Sequence, residues 1–140
     1  MEWLTVDESL ALLTSVPIGQ IVFTDRALPA IVPVNHTVDD GCVVIRTTAG
    51  STLAAAVRHA VVAYEADRLD YDTRTGWSVV VLGEAERVDD PGEITRLTPV
   101  APQPWAPGTR DHLVRITIAQ ITGRRIDRAP QAASATNHVA

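Results

Sequence analysis

The chain of 140 residues contains no lysine, a single cysteine and no long apolar run. All 12 of its basic residues are arginines, and 17 acidic residues outnumber them, so the formal charge is 12 − 17 = −5 at pH 7. An acidic chain lacks the broad cationic surface that binds nucleic acid or anionic membranes non-specifically. The planar fork of arginine suits bidentate contacts with phosphate or carboxylate. We therefore expect positive charge to act locally, at individual anionic groups.

The scarcity of cysteine and the spacing of histidine exclude further classes of protein. Cys42 has no partner for an intrachain disulfide, and its place in the run CVVI indicates a small buried hydrophobe. The histidines show no metal-ligand spacing with one another or with Cys42, so we predict no metal site. The acidic N-terminus lacks the basic region of a signal peptide, and no apolar stretch approaches the roughly 20 residues of a membrane span. These features predict a cytoplasmic protein with neither a membrane nor a nucleic-acid partner.

Six short segments rich in valine and isoleucine predict the strands of the fold. In chain order they are IGQIVFTD, LPAIVPVNHTV, CVVIRTT, AVVAYEAD, WSVVVLGEAERV and HLVRITIAQITG, with the turn signals DRAL, DDG and DDPG between segments. Alternating polarity in HLVRITIA and VAYEAD indicates that one face of each strand is buried. Many short antiparallel strands favour closure into a barrel, because closure removes exposed edges.

Local signals complete the prediction of a mainly β fold with small helices. Thr5 and Glu8 have the spacing of a capping box, which predicts a short helix that ends before Pro17. Gly83 in the long fifth segment predicts a bulge or a sharp bend. We predict one domain over residues 1–127, followed by a disordered tail over residues 128–140, where small and polar residues predominate.

The stretch VVIRTTAGSTLAAAVR predicts an anion site where a strand ends and a helix begins. It collects one cation and four hydroxyl groups, from Arg46, Thr47, Thr48, Ser51 and Thr52. Ser51 is a good N-cap, and the free N–H groups of a first helical turn favour a phosphate, to which arginine adds a charge-assisted contact. The alternative interpretation is that Ser51 only caps the helix and Arg46 pairs with a surface carboxylate.

Two further stretches carry candidate binding residues. In PAIVPVNHTVDDG, Pro33 removes one backbone donor from a strand, and Asn35 and His36 could hydrogen-bond a planar heteroaromatic ring. The alternative is that both are surface residues that lead into a turn. In TRTGWSVVVLGEA, Trp77 and Ser78 open a strand, and the alternative for Trp77 is packing in the core or at a dimer interface.

Taken as an ordered set, these motifs resemble the pyridoxamine 5′-phosphate oxidase-like, FMN-binding split-barrel family. The resemblance is to its small actinobacterial-type and nitroimidazole-resistance-like branch. It runs through LPAIVPVNHTVDDGCVVIRTTAGSTLAAAVR, VVAYEADRLDYDTRTGWSVVVLGEAERV and PWAPGTRDHLVRITIAQITGRRI, and so covers nearly everything from the first helix to Ile126. The chain departs from the family pattern at Thr52, where members commonly have a lysine.

The resemblance implies a six-stranded antiparallel split barrel that forms a homodimer, with one FMN in each of two clefts at the subunit interface. It places Val34, Asn35 and His36 along the flavin ring. The ribityl chain and phosphate are assigned to Arg46, Thr47, Thr48, Ser51 and Thr52, and the ring border to Trp77, Ser78 and Val79.

The activity implied is that of a flavin-dependent oxidoreductase, with hydride transfer to or from a small organic substrate. No side chain is assigned as catalytic acid or base, since the flavin carries the redox chemistry. The proline-rich loop TPVAPQPWAPG is expected to shape the substrate pocket. The alternative is a non-catalytic carrier that holds a flavin, a deazaflavin or haem in the same cleft.

Overall fold

The computed structural model describes residues 1–48, 52–103 and 111–127, and within these ranges the chain forms eight strands and three helices. In chain order they are β1 (Glu2–Trp3), α1 (Val6–Thr14), β2 (Ile18–Asp25), β3 (Leu28–Asp39), β4 (Cys42–Thr48), α2 (Thr52–Ala56), β5 (Ala60–Asp70), β6 (Thr75–Arg87), α3 (Pro91–Leu97), β7 (Asp111–Thr117) and β8 (Gln120–Ile126). Ser51 and the predicted tail lie outside the described residues. None of the described helices is both long and apolar enough to cross a bilayer.

Six strands form a closed antiparallel ring in the order β2, β3, β4, β7, β6 and β5, which confirms the predicted six-stranded barrel. β8 pairs with β6 outside this ring, and β1 pairs with β8. The interior is filled by the inward residues of the strands, among them Ile21, Val43, Tyr64, Val79 and Ile116, all with 0% exposure. Cys42, expected to be buried, is partly exposed, because it lies at the first position of β4 beside a turn.

The segment HLVRITIAQITG forms two strands, where the sequence predicted one. β6 pairs with β8 over Gly76–Leu82 and with β7 over Ala85–Arg87, so its partner changes at Gly83. A Cβ atom at position 83 would come within 1.6 Å of the Thr117 carbonyl oxygen, and the Ala119 N–H donates to the Leu82 carbonyl at 3.1 Å. The bend expected at Gly83 is therefore a close approach of the β7–β8 connection, and glycine is required there by lack of space.

Two helices begin at capping residues that are visible in the sequence. The capping box of α1 is confirmed, since the Glu8 N–H donates to the Thr5 hydroxyl and the Glu8 carboxylate accepts from the Thr5 N–H. The DDPG stretch, expected to be a turn, instead begins α3. Asp90 caps this helix by accepting from the Glu93 N–H, and Pro91 occupies its first turn, where a missing N–H costs nothing.

Candidate functional site

β3 and β4 separate part of the way along their length, and a cavity opens between them. β3 pairs with β4 only from His36 to Asp39, whereas the stretch from Leu28 to Asn35 pairs with β2 alone. β4 continues as the partner of β7 up to Thr48. The cavity at this split has a volume of about 320 Å³ and is lined by Phe23, Val32, Pro33, Val34, Asn35, Arg46, Thr47, Thr48, Leu53, Pro102 and Gln103. A volume of this size falls within the range of small-molecule sites.

The edge of β3 that faces the split carries backbone groups without a strand partner. The two-residue turn at Arg26 and Ala27 makes Asp25 and Leu28 a hydrogen-bonded pair, so even-numbered residues of β3 bond to β2. The odd-numbered residues from Ile31 to Asn35 direct their N–H and C=O groups toward β4, from which β3 has separated. Because Pro33 is one of these odd-numbered residues, its missing N–H removes no hydrogen bond to β2. The missing donor belongs instead to the open edge.

The cavity wall is largely apolar, with one buried hydroxyl that has no partner. Phe23 and Leu53 are 5% and 6% exposed, and Val32 and Val34 are half-buried. Thr47 is 4% exposed, and its Oγ1 has no hydrogen-bond partner among the residues that the structure describes. Burial of an unpaired hydroxyl costs about 1–3 kcal/mol in proteins. Thr47 therefore presents a polar atom that a bound molecule can satisfy.

Arg46 places a positive charge at the same cavity. It is half-buried at the end of β4, and its Nε donates to the backbone carbonyl of Pro102. Among the side chains that the structure describes, no carboxylate forms an ion pair with Arg46, so the alternative of a structural ion pair finds no partner there. The contact with Pro102 also holds the segment after α3 against the cavity, where Pro102 and Gln103 form part of the wall.

His36 points into the barrel and is not among the residues that line the cavity. It is 4% exposed, its Nε2 donates to the Leu13 carbonyl at 2.9 Å, and its Nδ1 accepts from the Tyr64 hydroxyl. A carbonyl can only accept, so the proton is on Nε2. Burial lowers the pKa of the imidazole, which keeps the ring neutral. The alternation Val32, Val34, His36, Val38 in the sequence already marks this inward direction.

The structure therefore brings Val34, Asn35, Arg46, Thr47 and Thr48 together around one cavity. It does not bring the three β6 candidates there, because β5 and β2 separate β6 from β3 in the ring, and β7 separates it from β4. Of these three, Trp77 is 9% exposed and Val79 is fully buried, while Ser78 is half-buried. Thr52 begins α2 beside Leu53, and its side chain, like Ser51, lies outside what the structure describes.

Six cavity residues were not predicted as binding residues from the sequence, namely Phe23, Val32, Pro33, Leu53, Pro102 and Gln103. Two of them have sequence features that could have pointed to the site. Phe23 is the only phenylalanine of the chain, and Leu53 directly follows the predicted anion-binding residues. Pro102 and Gln103 belong to the proline-rich loop that was expected to shape the pocket. The hydrogen bond between Pro102 and Arg46 spans 56 positions of sequence, and no local pattern predicts it.

Comparison with known proteins identifies the family. Residues 5–125 match the family described as pyridoxamine 5′-phosphate oxidase. The uncharacterized protein Rv0080 of Mycobacterium tuberculosis is 48% identical over 125 residues, which cover 86% of this chain and 82% of that relative. A solved FAD-binding protein from Mycobacterium smegmatis is 36% identical with a TM-score of 0.78, and the match covers 89% of this chain and 99% of that one. An FAD- and haem-binding protein from the same species shares the fold, with a TM-score of 0.73 at 12% identity and coverage of 98% and 81%. The match over residues 5–125, as the ordered motifs of the sequence indicated, shows that this chain belongs to the pyridoxamine 5′-phosphate oxidase family.

Proposed function

We propose that the cavity at the split binds a flavin nucleotide, FMN in the first place, through the ring, ribityl chain and inner phosphate that FMN and FAD share. The observation that carries this proposal is the adjacency of Thr47 and Arg46. Among the described residues, the buried Thr47 hydroxyl has no hydrogen-bond partner and the Arg46 cation has no carboxylate partner. The FAD-binding relative of 36% identity supports a flavin in general.

The residues present fit the ring of such a molecule in two ways. The apolar side chains of Phe23, Val32 and Leu53 match the faces of a planar ring, from which they exclude water. The open edge of β3 offers backbone donors and acceptors at Ile31 and Asn35 and only an acceptor at Pro33, a pattern suited to the polar edge of a heteroaromatic ring.

The anionic end of the ligand has its own partners. The guanidinium of Arg46 can donate to phosphate oxygens while its Nε holds Pro102, and the Thr47 hydroxyl supplies a neutral hydrogen bond. Arg58 is exposed after α2, and it could supply the charge that Thr52 lacks relative to the lysine common in the family.

We propose further that the protein is a flavin-dependent oxidoreductase that acts on a small organic substrate. A bound flavin supplies hydride transfer, while this chain binds and orients it in a site from which water is excluded. Turnover separates an enzyme from a carrier. A carrier would bind the cofactor stoichiometrically. It would not speed the oxidation of reduced flavin by quinones or nitro compounds, nor the reduction of oxidised flavin by pyridoxamine phosphate.

A homodimer is the proposed assembly, with a second copy of this chain on the outer face of the β3–β2–β5–β6 sheet. The strand registers align Ile31, Val22, Ala63 and Leu82 in one row across these four strands. Ile31 is 58% exposed, and Ile18, on the same face of β2 beyond the row of Gln20, is 45% exposed, although both belong to β-branched runs typical of buried strands. Exposed apolar side chains gathered on one sheet face are typical of an interface, although the row between Ile31 and Ile18 holds the polar Gln20 and Glu65. A two-fold contact would bury the same patch on both subunits.

The experiment that tests the cofactor uses the purified protein. Its absorption spectrum and the mass of the molecule released on denaturation identify what it carries from cells. Titration with FMN, FAD, riboflavin, a deazaflavin and haem, followed by melting temperature and fluorescence, ranks the candidates. We expect FMN or FAD to raise the melting temperature, with about 2.7 kcal/mol of added stability at a hundredfold excess over Kd. A colourless protein whose melting is unmoved by millimolar flavin would overturn the proposal.

A further inference from the structure

A buried chain of polar contacts runs behind the cavity wall, from the end of α1 to β3. The Leu13 carbonyl accepts from His36 Nε2 at 2.9 Å, and the Tyr64 hydroxyl donates to His36 Nδ1. The Tyr64 oxygen also lies 3.3 Å from the Val34 carbonyl oxygen. Tyr64 and Leu13 have 0% exposure and His36 has 4%, so each of these polar groups depends on the others for its hydrogen bonds.

Gly19 makes the reach of Tyr64 possible. It is the register partner of Val34, on β2. A Cβ atom at position 19 would lie 2.7 Å from the Tyr64 hydroxyl oxygen and 2.6 Å from the Glu65 carbonyl oxygen. Any other residue at position 19 would push the Tyr64 ring away. The hydrogen bond of the Tyr64 hydroxyl therefore depends on glycine at this position of β2. An apolar core would need neither the glycine nor the polar pair, which indicates a task besides filling space.

The far end of this polar chain touches the strand segment that forms the cavity. Val34 and Asn35 line the cavity, and His36 is the next residue. His36 Nε2 fixes the strand to α1 and its Nδ1 fixes it to β5 through Tyr64. Among the strands that the structure describes, none lies beside the open edge of β3 to hold it there, because β4 has already separated. The contacts from the interior therefore replace the missing strand as a constraint on the position of Val34 and Asn35.

We propose that His36 and Tyr64 are positioning residues, which hold the Val34–Asn35 segment in the geometry that the cofactor requires without touching the cofactor. This inference rests on the proposed flavin site. Binding groups must be fixed by locked neighbours, because displacements well below an ångström weaken hydrogen bonds to a ligand. Loss of the Tyr64 hydroxyl would leave His36 Nδ1 buried without a donor and release one constraint on the segment.

The test compares the two tyrosines of the chain. Tyr64→Phe removes one hydroxyl and keeps the ring, and Tyr71→Phe makes the same change at a residue with 86% exposure. FMN and FAD affinities are measured by fluorescence well below the melting temperature of each variant, where a loss of stability alone leaves Kd unchanged. We expect Kd to rise about three- to tenfold for Tyr64→Phe, the range of one net hydrogen bond, with a shifted spectrum of the bound flavin. Tyr71→Phe should behave as wild type.

Two substitutions of His36 separate its two hydrogen bonds. His36→Asn keeps an acceptor near the position of Nδ1 for Tyr64 and loses the bond to Leu13. His36→Gln keeps a donor near Nε2 for Leu13 and loses the acceptor for Tyr64. Because the Tyr64 bond acts on the cavity segment, we expect His36→Gln to weaken the flavin as Tyr64→Phe does, and His36→Asn to weaken it less. The double variant Tyr64→Phe with His36→Gln should lose no more than either single variant.

The outcomes are distinguishable from failure of the proposed function. Wild-type protein that binds no flavin overturns that function and this inference together. The second outcome is that wild-type protein binds flavin and that Tyr64→Phe has the same Kd and spectrum but a lower melting temperature. The flavin site would then stand, but His36 and Tyr64 would form only a core hydrogen bond, and this inference would be overturned. If Tyr64→Phe does not fold, equal flavin affinity in His36→Gln and wild type overturns the inference in its place.

Discussion

At the residue scale, Arg46 is the decisive test of the anionic end of the site. Replacement by alanine removes a charge-assisted contact, so we expect FMN binding to weaken by about 1.5–3 kcal/mol, or ten- to a hundredfold. Riboflavin, which lacks the phosphate, should weaken much less. Calorimetric titration of both ligands measures the difference. Arg68→Ala on β5 is the control, because Arg68 is an arginine at a strand position that is exposed to solvent and does not line the cavity.

A structural role of Arg46 would give a different pattern. Loss of the hydrogen bond to Pro102 should lower the stability of the apo protein by no more than about 1–3 kcal/mol, the cost of one buried acceptor left without its donor. Equal losses for FMN and riboflavin, or an apo protein that no longer folds, would show that Arg46 supports the segment after α3 and not the phosphate.

Thr47 allows a prediction in which stability and binding change in opposite directions. Thr47→Val keeps the shape and removes a buried hydroxyl that has no partner among the described residues, so the apo protein should gain about 1 kcal/mol in free energy of unfolding. The same change should weaken FMN, because the hydroxyl is expected to bond the ligand. Thermal melting and flavin titration measure the two effects. Thr37→Val is a matched control. Thr37 Oγ1 is likewise buried with no partner in the described part of the chain but lies outside the cavity, so only stability should rise.

At the element scale, the β2–β3 hairpin carries strain that glycine would relieve. Arg26 and Ala27 have φ values of 52° and 66°, the left-handed conformation that side chains disfavour by about 1–2 kcal/mol per residue. Ala27→Gly should therefore stabilise the protein by about 0.5–1 kcal/mol after the entropy of glycine is counted. Chemical denaturation measures it. Ala30→Gly on β3 should destabilise, and a loss of stability in Ala27→Gly would show that the turn is not strained.

At the scale of the whole molecule, Glu65 links the proposed dimer to pH. It lies on the outer face of β5, opposite Gln20 of β2 and Val80 of β6. Burial, and then a hydrogen bond with Asp67, raise its pKa to about 7 from the ordinary 4.5. The folded state therefore binds this proton more tightly than the unfolded chain, so the stabilisation is complete below pH 4.5 and is lost as pH rises toward 7. A second copy on this face would disfavour the ionised carboxylate further.

We therefore expect dimerisation to weaken as pH rises from 6.5 to 9. Glu65→Gln, which is neutral at every pH, should remove that dependence. Sedimentation of both proteins across this range measures it, with Glu2→Gln, at an exposed position of β1 outside the four strands of that face, as the control. The range avoids interference from His36, whose lowered pKa costs stability only as pH falls below about 6.5. A wild-type dimer with pH-independent affinity would place the interface away from Glu65.

Much of the fold was determined locally and could be predicted from the sequence. Alternating polarity and turn residues gave β2 and β4 with the bounds that the structure has, and the Thr5 and Glu8 capping box gave the start of α1. The motif around Arg46 likewise identified most of the polar wall of the cavity. These features depend on residues a few positions apart, whose geometry is set by the period of a strand or by the first turn of a helix.

Tertiary structure decided where these elements separate and which side chains turn toward the split. β4 leaves β3 after Ile45 because it stays paired with β7, a strand some 70 positions further along the chain, and that pairing opens the cavity. The segment after α3 reaches Arg46 only once the ring has closed. His36 was assigned to the ligand but faces Tyr64, because the barrel interior offers a neutral imidazole two hydrogen bonds. Such contacts join distant parts of the chain, and no local period encodes them.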